Sequence, residues 1–351
     1  MKNRKKEFYL ILIFIVSVVL FFVLKFAFTE EIKRDDYQQM KEANLLTQKW
    51  FNVICKEKEK RRIISAVNSK TTYSGMLGSE YTLTTTTLGS LEAKELSCNP
   101  DFSALMVRLI HESEAVNPGD TVLVLSSGSF PSLMISTLSA IETLNLKPII
   151  ISSLGASMYG ANQPEATWID MENWLKTNCN FSYSSFIVTL GGEGDNGSGL
   201  TNEGISLLKK AIARNNETLT IPKSFPDAIN LRMDILKNKN ISLLINIGGN
   251  QTSLGRCNHS LFMPNGLVNS LTICEHEDRG ILMRSIELGI PYIHFLGIKD
   301  LAIEYGIDEY LKKIYNEPKK LYITGYIPVL PVIISILIIL LLIFWFRKKV
   351  I

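Results

Sequence analysis

Apolar residues fill two stretches at the ends of the chain and recur in short, evenly spaced runs between them. Residues 9–24 form an apolar run interrupted by Ser17 alone, and after Lys25 residues 26–28 extend it to the ~20 residues that a helix needs to cross a bilayer. Residues 326–346 form the second run, closed by Arg347, Lys348 and Lys349. Pro328 and Pro331 lie in its first turns, where proline costs a helix least. Residues 31–62 are rich in Lys, Glu, Gln, Leu and Met and lack Gly and Pro, a helix pattern that reads as a stalk or as a helix packed on the domain. Residues 71–94 have little periodicity and many hydroxyls around Glu80, and the four threonines at 84–87 favour extended backbone. From there, β-branched runs at 121–125, 147–152, 186–190, 241–247 and 290–295 alternate with helical patterns at 99–114, 131–144, 167–178, 200–214 and 279–288 and with one ending near 238. Residues 254–269 read as polar and irregular. This alternation predicts an α/β fold with a mostly parallel, doubly wound, Rossmann-like sheet, flanked by two transmembrane helices. The resulting partition is 1–28 basic tail and first span, 29–70 helical stalk, 71–325 α/β domain, 326–346 second span and 347–351 basic tail.

Charge adds orientation. Lys2, Arg4, Lys5 and Lys6 precede the first span, and only Ala27 offers a small residue near its end, so an uncleaved anchor is expected rather than a signal peptide. Bases outside both spans place the termini in the cytoplasm and the middle on the far side, although Lys319 and Lys320 on the inner flank of the second span work against this. The first 24 residues and the last five carry +3 each, against a net charge of +3 for the whole chain, which leaves −3 for the middle. The middle is mildly acidic and carries no nucleic-acid signature. Five cysteines without a C-x-x-C pair argue against a metal cluster or a disulfide framework and read mainly as buried small hydrophobes, with room for one or two bridges outside the cytoplasm.

Parallel sheets bind ligands at the carboxyl ends of their strands, and here those ends carry small-residue loops. The candidate ligand-binding residues are Ser126, Ser127, Gly128 and Ser129; Gly155, Ser157 and Asn162; Gly192 and Gly194; and Gly248, Gly249 and Asn250, with His294 at the end of the fifth strand. Glycines let backbone approach a ligand, and N–H groups and hydroxyls suit a carboxylate. Candidate acids for catalysis are Glu80, Asp170, Glu193 and Asp195. Glu193 and Asp195 share a loop and are expected to face one ligand, whereas Asp170 and Glu172 diverge on a helix. There is no G-x-x-x-x-G-K and no G-x-S-x-G, and the G-x-G-x-x-G spacing from Gly192 to Gly197 is acidic where a pyrophosphate would lie. The EF-hand pattern fails for want of its glycine and last glutamate. No cofactor and no metal are expected.

The stretches GMLGSEYTLTTTTLGSLEAK, NPDFSALMVRLI, SSGSFPSLMISTL, SSLGASMYGANQPEATWIDME and INIGG, with the terminal spans, resemble the poly-gamma-glutamate system protein family. That resemblance covers most of residues 71–305. It implies a bacterial cell-envelope protein that works with membrane subunits of a polymer synthase and meets poly-gamma-glutamate or its precursor; it supplies no catalytic residues. Binding of the polymer, hydrolysis or transfer of its gamma-glutamyl amides, and scaffolding of membrane partners are the three functions compatible with this reading.

Overall fold

The five β-branched runs form five of the six strands of one sheet. The computed structural model describes residues 2–65, 69–257, 263–270, 276–307 and 317–350. In chain order, α1 (Lys2–Ala27) and β1 (Glu30–Lys33) precede α2 (Tyr37–Lys60), β2 (Thr85–Thr87), α3 (Leu91–Ser97) and α4 (Asp101–Glu112). Then come β3 (Thr121–Ser127), α5 (Pro131–Thr143), β4 (Lys147–Ser153), β5 (Ala156–Ser157), α6 (Trp168–Asn178), β6 (Ile187–Thr189), α7 (Asn202–Arg214), α8 (Phe225–Asn238) and β7 (Ile241–Ile247). The chain continues with α9 (Gln251–Leu254), β8 (Gly266–Val268), α10 (Ile281–Glu287), β9 (Tyr292–Phe295), α11 (Ile298–Tyr305), α12 (Lys319–Tyr322), β10 (Ile323–Tyr326) and α13 (Val329–Val350).

Two units emerge, Asp36–Leu321 and the paired ends of the chain. In the first, six strands lie in the order β6-β4-β3-β7-β9-β8. All neighbours are parallel except β8, which pairs antiparallel to β9 at the edge. The succession runs outward from β3 to β6 on one side and from β7 onward on the other, so its direction reverses between β3 and β7. β3 and β7 are buried along nearly their whole length, as strands covered on both faces must be. Leu123 and Leu125 join Leu244, Tyr292 and residues of α8 and α10 in one core cluster. The pleat sends Val122 and Val124, equally buried, to the opposite face. Burying each of these side chains stabilises the fold by about 1.5–3 kcal/mol.

The helix expected at residues 29–70 is no free stalk. α2 packs against α4, α5 and α6 and buries Met40, Ala43, Trp50, Phe51 and Ile54 at the spacing of a single helical face. β8 falls in the segment expected to be irregular; its three residues are too short a run to register as a strand pattern.

The second unit contains both apolar ends. Residues Glu7–Ala27 and Val329–Lys348 are helices long and apolar enough to cross a membrane. α1 packs along α13, with the Tyr9 and Phe346 rings stacked at 4.3 Å near the chain ends. β1 and β10 pair antiparallel at the opposite end, Glu30 against Tyr326. The unit is therefore a hairpin with both termini at the same end.

Candidate functional site

β3 and β4 run in register, so Ser126 and Ser127 lie beside Ser152 and Ser153 at their carboxyl ends. The chain then turns at Gly128 and enters α5 at Pro131, whose fixed φ suits a first helical turn. A Cβ on Gly128 would lie 2.6 Å from the Leu154 carbonyl oxygen, so glycine lets two loops touch here. After β6, residues 191–199 coil through a run of left-handed conformations, and Gly192 has φ +77° with no room for a side chain against the Ser198 carbonyl. The hydroxyl-rich segment comes across to meet these loops: β2 pairs parallel with β5, Thr85 against Ala156 and Thr87 against Ser157.

Together these segments enclose a cleft of about 670 Å³ at the carboxyl ends of β3 and β7, where the strand order reverses. Of the residues expected to bind ligand, Ser127, Ser129, Gly155, Ser157, Gly192, Gly249 and Asn250 line it, and so does the acid Glu193. Thr86, Thr87, Ser90, Ser153 and Ser198 add hydroxyl-bearing residues to the wall.

Other candidates stand outside this lining. Ser126 is buried, and its hydroxyl makes a long 3.4 Å bond to the Ser127 carbonyl. Gly128, Gly194 and Gly248 are parts of the turns behind the wall. Asn162 is a staple: its side chain accepts from the Ser79 N–H and donates to the Ser79 carbonyl and Thr85 Oγ1, while its own carbonyl accepts from the Thr84 hydroxyl at 2.6 Å. It thereby pins the hydroxyl-rich segment in place. Glu80 is exposed beside Tyr159, whose hydroxyl is pushed up in pKa by burial and then by the Glu80 charge, and it does not reach the cleft. His294 is buried in β9 with Nδ1 2.9 Å from Asn246 Nδ2; burial lowers its pKa to about 4, so it is a neutral core residue.

Two of the expected acids have structural partners instead. Asp170 closes a capping box with Thr167 at the start of α6 and pairs with Arg214 and Asn215. Asp195 is wholly buried and ion-paired with Arg232 of α8, itself 2% exposed. Its Oδ1 also accepts from Ser153 Oγ at 2.8 Å and from Asn250 Nδ2 at 2.9 Å. Glu193 and Asp195 therefore do not face one ligand: the left-handed residue at 195 turns its carboxylate inward, while exposed Glu193 meets Gln251 at 3.0 Å.

The residue missed by sequence reasoning is Lys94. It lines the cleft, is 2% exposed and has no carboxylate among its hydrogen-bond partners. Its Nζ donates to the Ser129 carbonyl and lies 2.8 Å from Ser157 Oγ, with the Phe130 ring centroid 3.5 Å away. Burial lowers its pKa to about 7. Glu193 is the one acid and Lys94 the one base among the described lining residues. A second buried lysine, Lys58, lies away from the cleft, bound to the Leu77 carbonyl and Gln163, with its pKa lowered to about 8 by burial.

Cys98 is buried, and desolvation pushes its thiol up to about 12. Cys55 and Cys179 are also free thiols, whereas Cys257 is disulfide-bonded, so one cysteine departs from the small-hydrophobe reading. Compared with protein-family models, with curated proteins and with solved structures, the chain matches none.

Proposed function

We propose that the chain is a membrane-anchored accessory protein of a poly-gamma-glutamate-type system, whose Asp36–Leu321 unit binds the polymer, or a related carboxylate chain, from the outer side of the membrane. The carrying observation is the chemistry of the cleft wall: serine and threonine hydroxyls, glycine backbone and buried Lys94, with a single acid among the described lining residues. Hydroxyls and N–H groups satisfy carboxylates, and Lys94, in the fraction that is protonated near its pKa of about 7, adds a counter-charge in a region of low dielectric. Glu193 at the rim is placed for an amine or a cation of the ligand. The strand reversal beside the cleft supports a Rossmann-like sheet, in which ligands bind at that point. The basic residues at the chain ends, the hairpin of apolar helices and the bonded Cys257 support two membrane crossings with the main unit outside.

The test is saturable binding of poly-gamma-glutamate by the full chain in detergent, with an alpha-linked polyglutamate as the comparison. Thr87→Glu and Ser198→Glu each add a negative charge on an exposed part of the wall, away from the core. Each variant should weaken binding of the gamma-linked polymer at least tenfold. Absence of wild-type binding, or binding unchanged in both variants, rejects the proposal.

A further inference from the structure

We infer that Ser157 and Lys94 form a nucleophile and general-base pair that cleaves or transfers the amide of a gamma-glutamyl ligand held in the cleft. The substrate class rests on the binding reading above; the pair rests on its own geometry. Ser157 Oγ and Lys94 Nζ are 2.8 Å apart, within reach for direct proton transfer, and both residues line the same cleft. Gly89 leaves the hydroxyl uncovered on one side, since a Cβ there would come within 3.3 Å of it. The Ser157 N–H donates to Ser129 Oγ at 3.0 Å, and the Ser129 carbonyl receives an N–H of Lys94, so two contacts orient the pair from one loop.

A lysine acts as a base only when neutral. Burial, without a carboxylate partner, favours that form and outweighs the Phe130 ring face, which on its own favours the ammonium, and the pKa of about 7 makes the neutral amine available at neutral pH. The titratable group acting on Lys94 is Cys98, four residues on at the carboxyl-terminal cap of the same helix, itself protonated. The loops packed against Lys94 present Ser129, Phe130 and Ser157, all uncharged. In the step, the neutral amine takes the Ser157 hydroxyl proton as Oγ bonds to the carbonyl carbon. The C–N bond then breaks, and the leaving nitrogen takes the proton back from the Lys94 ammonium. Water or an acceptor amine next attacks the ester carbonyl on Ser157 and gives a proton to Lys94; the bond from the carbonyl carbon to Oγ breaks, and Ser157 Oγ takes that proton from the Lys94 ammonium, which restores both groups.

The experiment treats the full chain in detergent with an N-acyl-gamma-glutamyl para-nitrophenyl ester across pH 6–9, quenches in acid and maps the acyl adduct by peptide mass. The expected result is an adduct on Ser157, formed faster as pH rises through about 7. Lys94→Met, which accepts no proton and leaves no buried charge, should slow it at least a hundredfold while the Tm stays near that of the wild type. An unmodified Ser157, an adduct confined to another serine, or an undiminished rate in Lys94→Met overturns the pair. Polymer binding by the wild type is measured in parallel. Binding without an adduct removes the pair and leaves the binding reading, whereas an adduct without polymer binding does the reverse.

Discussion

Replacing Asp195 with Asn should unfold the protein far more easily while leaving the shape of residue 195 almost untouched. Asn tolerates the left-handed backbone as well as Asp does, so the observed φ of +64° adds no strain. The substitution removes a charge at a site with no solvent exposure. Arg232 then keeps its charge in the interior without the Asp195 carboxylate, still bonded to the Ala228 carbonyl. Removing one partner of a buried ion pair costs about 3–5 kcal/mol. For a folded unit of this size that lowers Tm on the order of 10 °C. The assay is thermal unfolding of the full chain in detergent, followed by tryptophan emission, for Asp195→Asn, Arg232→Met and the double variant. Each single change strands the other charge, so the double variant should be more stable than the sum of the two losses allows. A wild-type Tm for Asp195→Asn, or strictly additive losses, would refute the reasoning and return Asp195 to the role of an available acid.

Stability should rise with pH between about 7 and 8.5. Lys94 and Lys58 release their protons near 7 and 8 in the folded state but near 10.5 when unfolded, so the unfolded chain binds more protons throughout this window. Lys94→Met should flatten the lower part of that rise, and a Tm that falls from pH 7 to 8.5 in the wild type contradicts it. His294 acts in the same direction lower down, with stability gained from about pH 4 to 6.5 as the unfolded imidazole loses the proton that the buried ring has already shed. For the topology, Lys209→Cys puts a thiol on the exposed face of α7, and a membrane-impermeant maleimide should label it in intact cells above the level of the unsubstituted chain; labelling only after lysis reverses the orientation. Asp170→Ala removes a capping box and an ion pair outside the cleft, so it should cost about 1–2 kcal/mol of stability and leave polymer binding unchanged.

What was legible in the sequence divides along a physical line. Strands such as β3 and β7 announce themselves because a strand covered on both faces has to be a continuous apolar run, and the loops behind them follow from where those runs stop. That logic was enough to bring Ser127, Gly155, Gly192 and Asn250 to one cleft. β8 escaped because three residues at a sheet edge carry no period. Side-chain roles escaped for a different reason: they depend on partners distant in sequence. Asp195 in a glycine-rich turn looks like an accessible loop acid until Arg232, 37 residues on, is seen to neutralise it. Lys94 is the converse. In the helix LEAKELS it reads as one more solvated charge, and only the crossing of β2 to β5 and the turn at Phe130 enclose it. The two corrections act together on the chemistry of the cleft. Taking Asp195 out of the wall and putting Lys94 into it changes a site expected to set two acids beside its hydroxyls and N–H groups into one with a single exposed acid and a buried base, a change that suits the carboxylate ligand expected there better than it suits a cation. An acidic site would have required the carboxylates to work as acid and base. In the site as built, that work falls to a lysine and the serine beside it, or the cleft only binds.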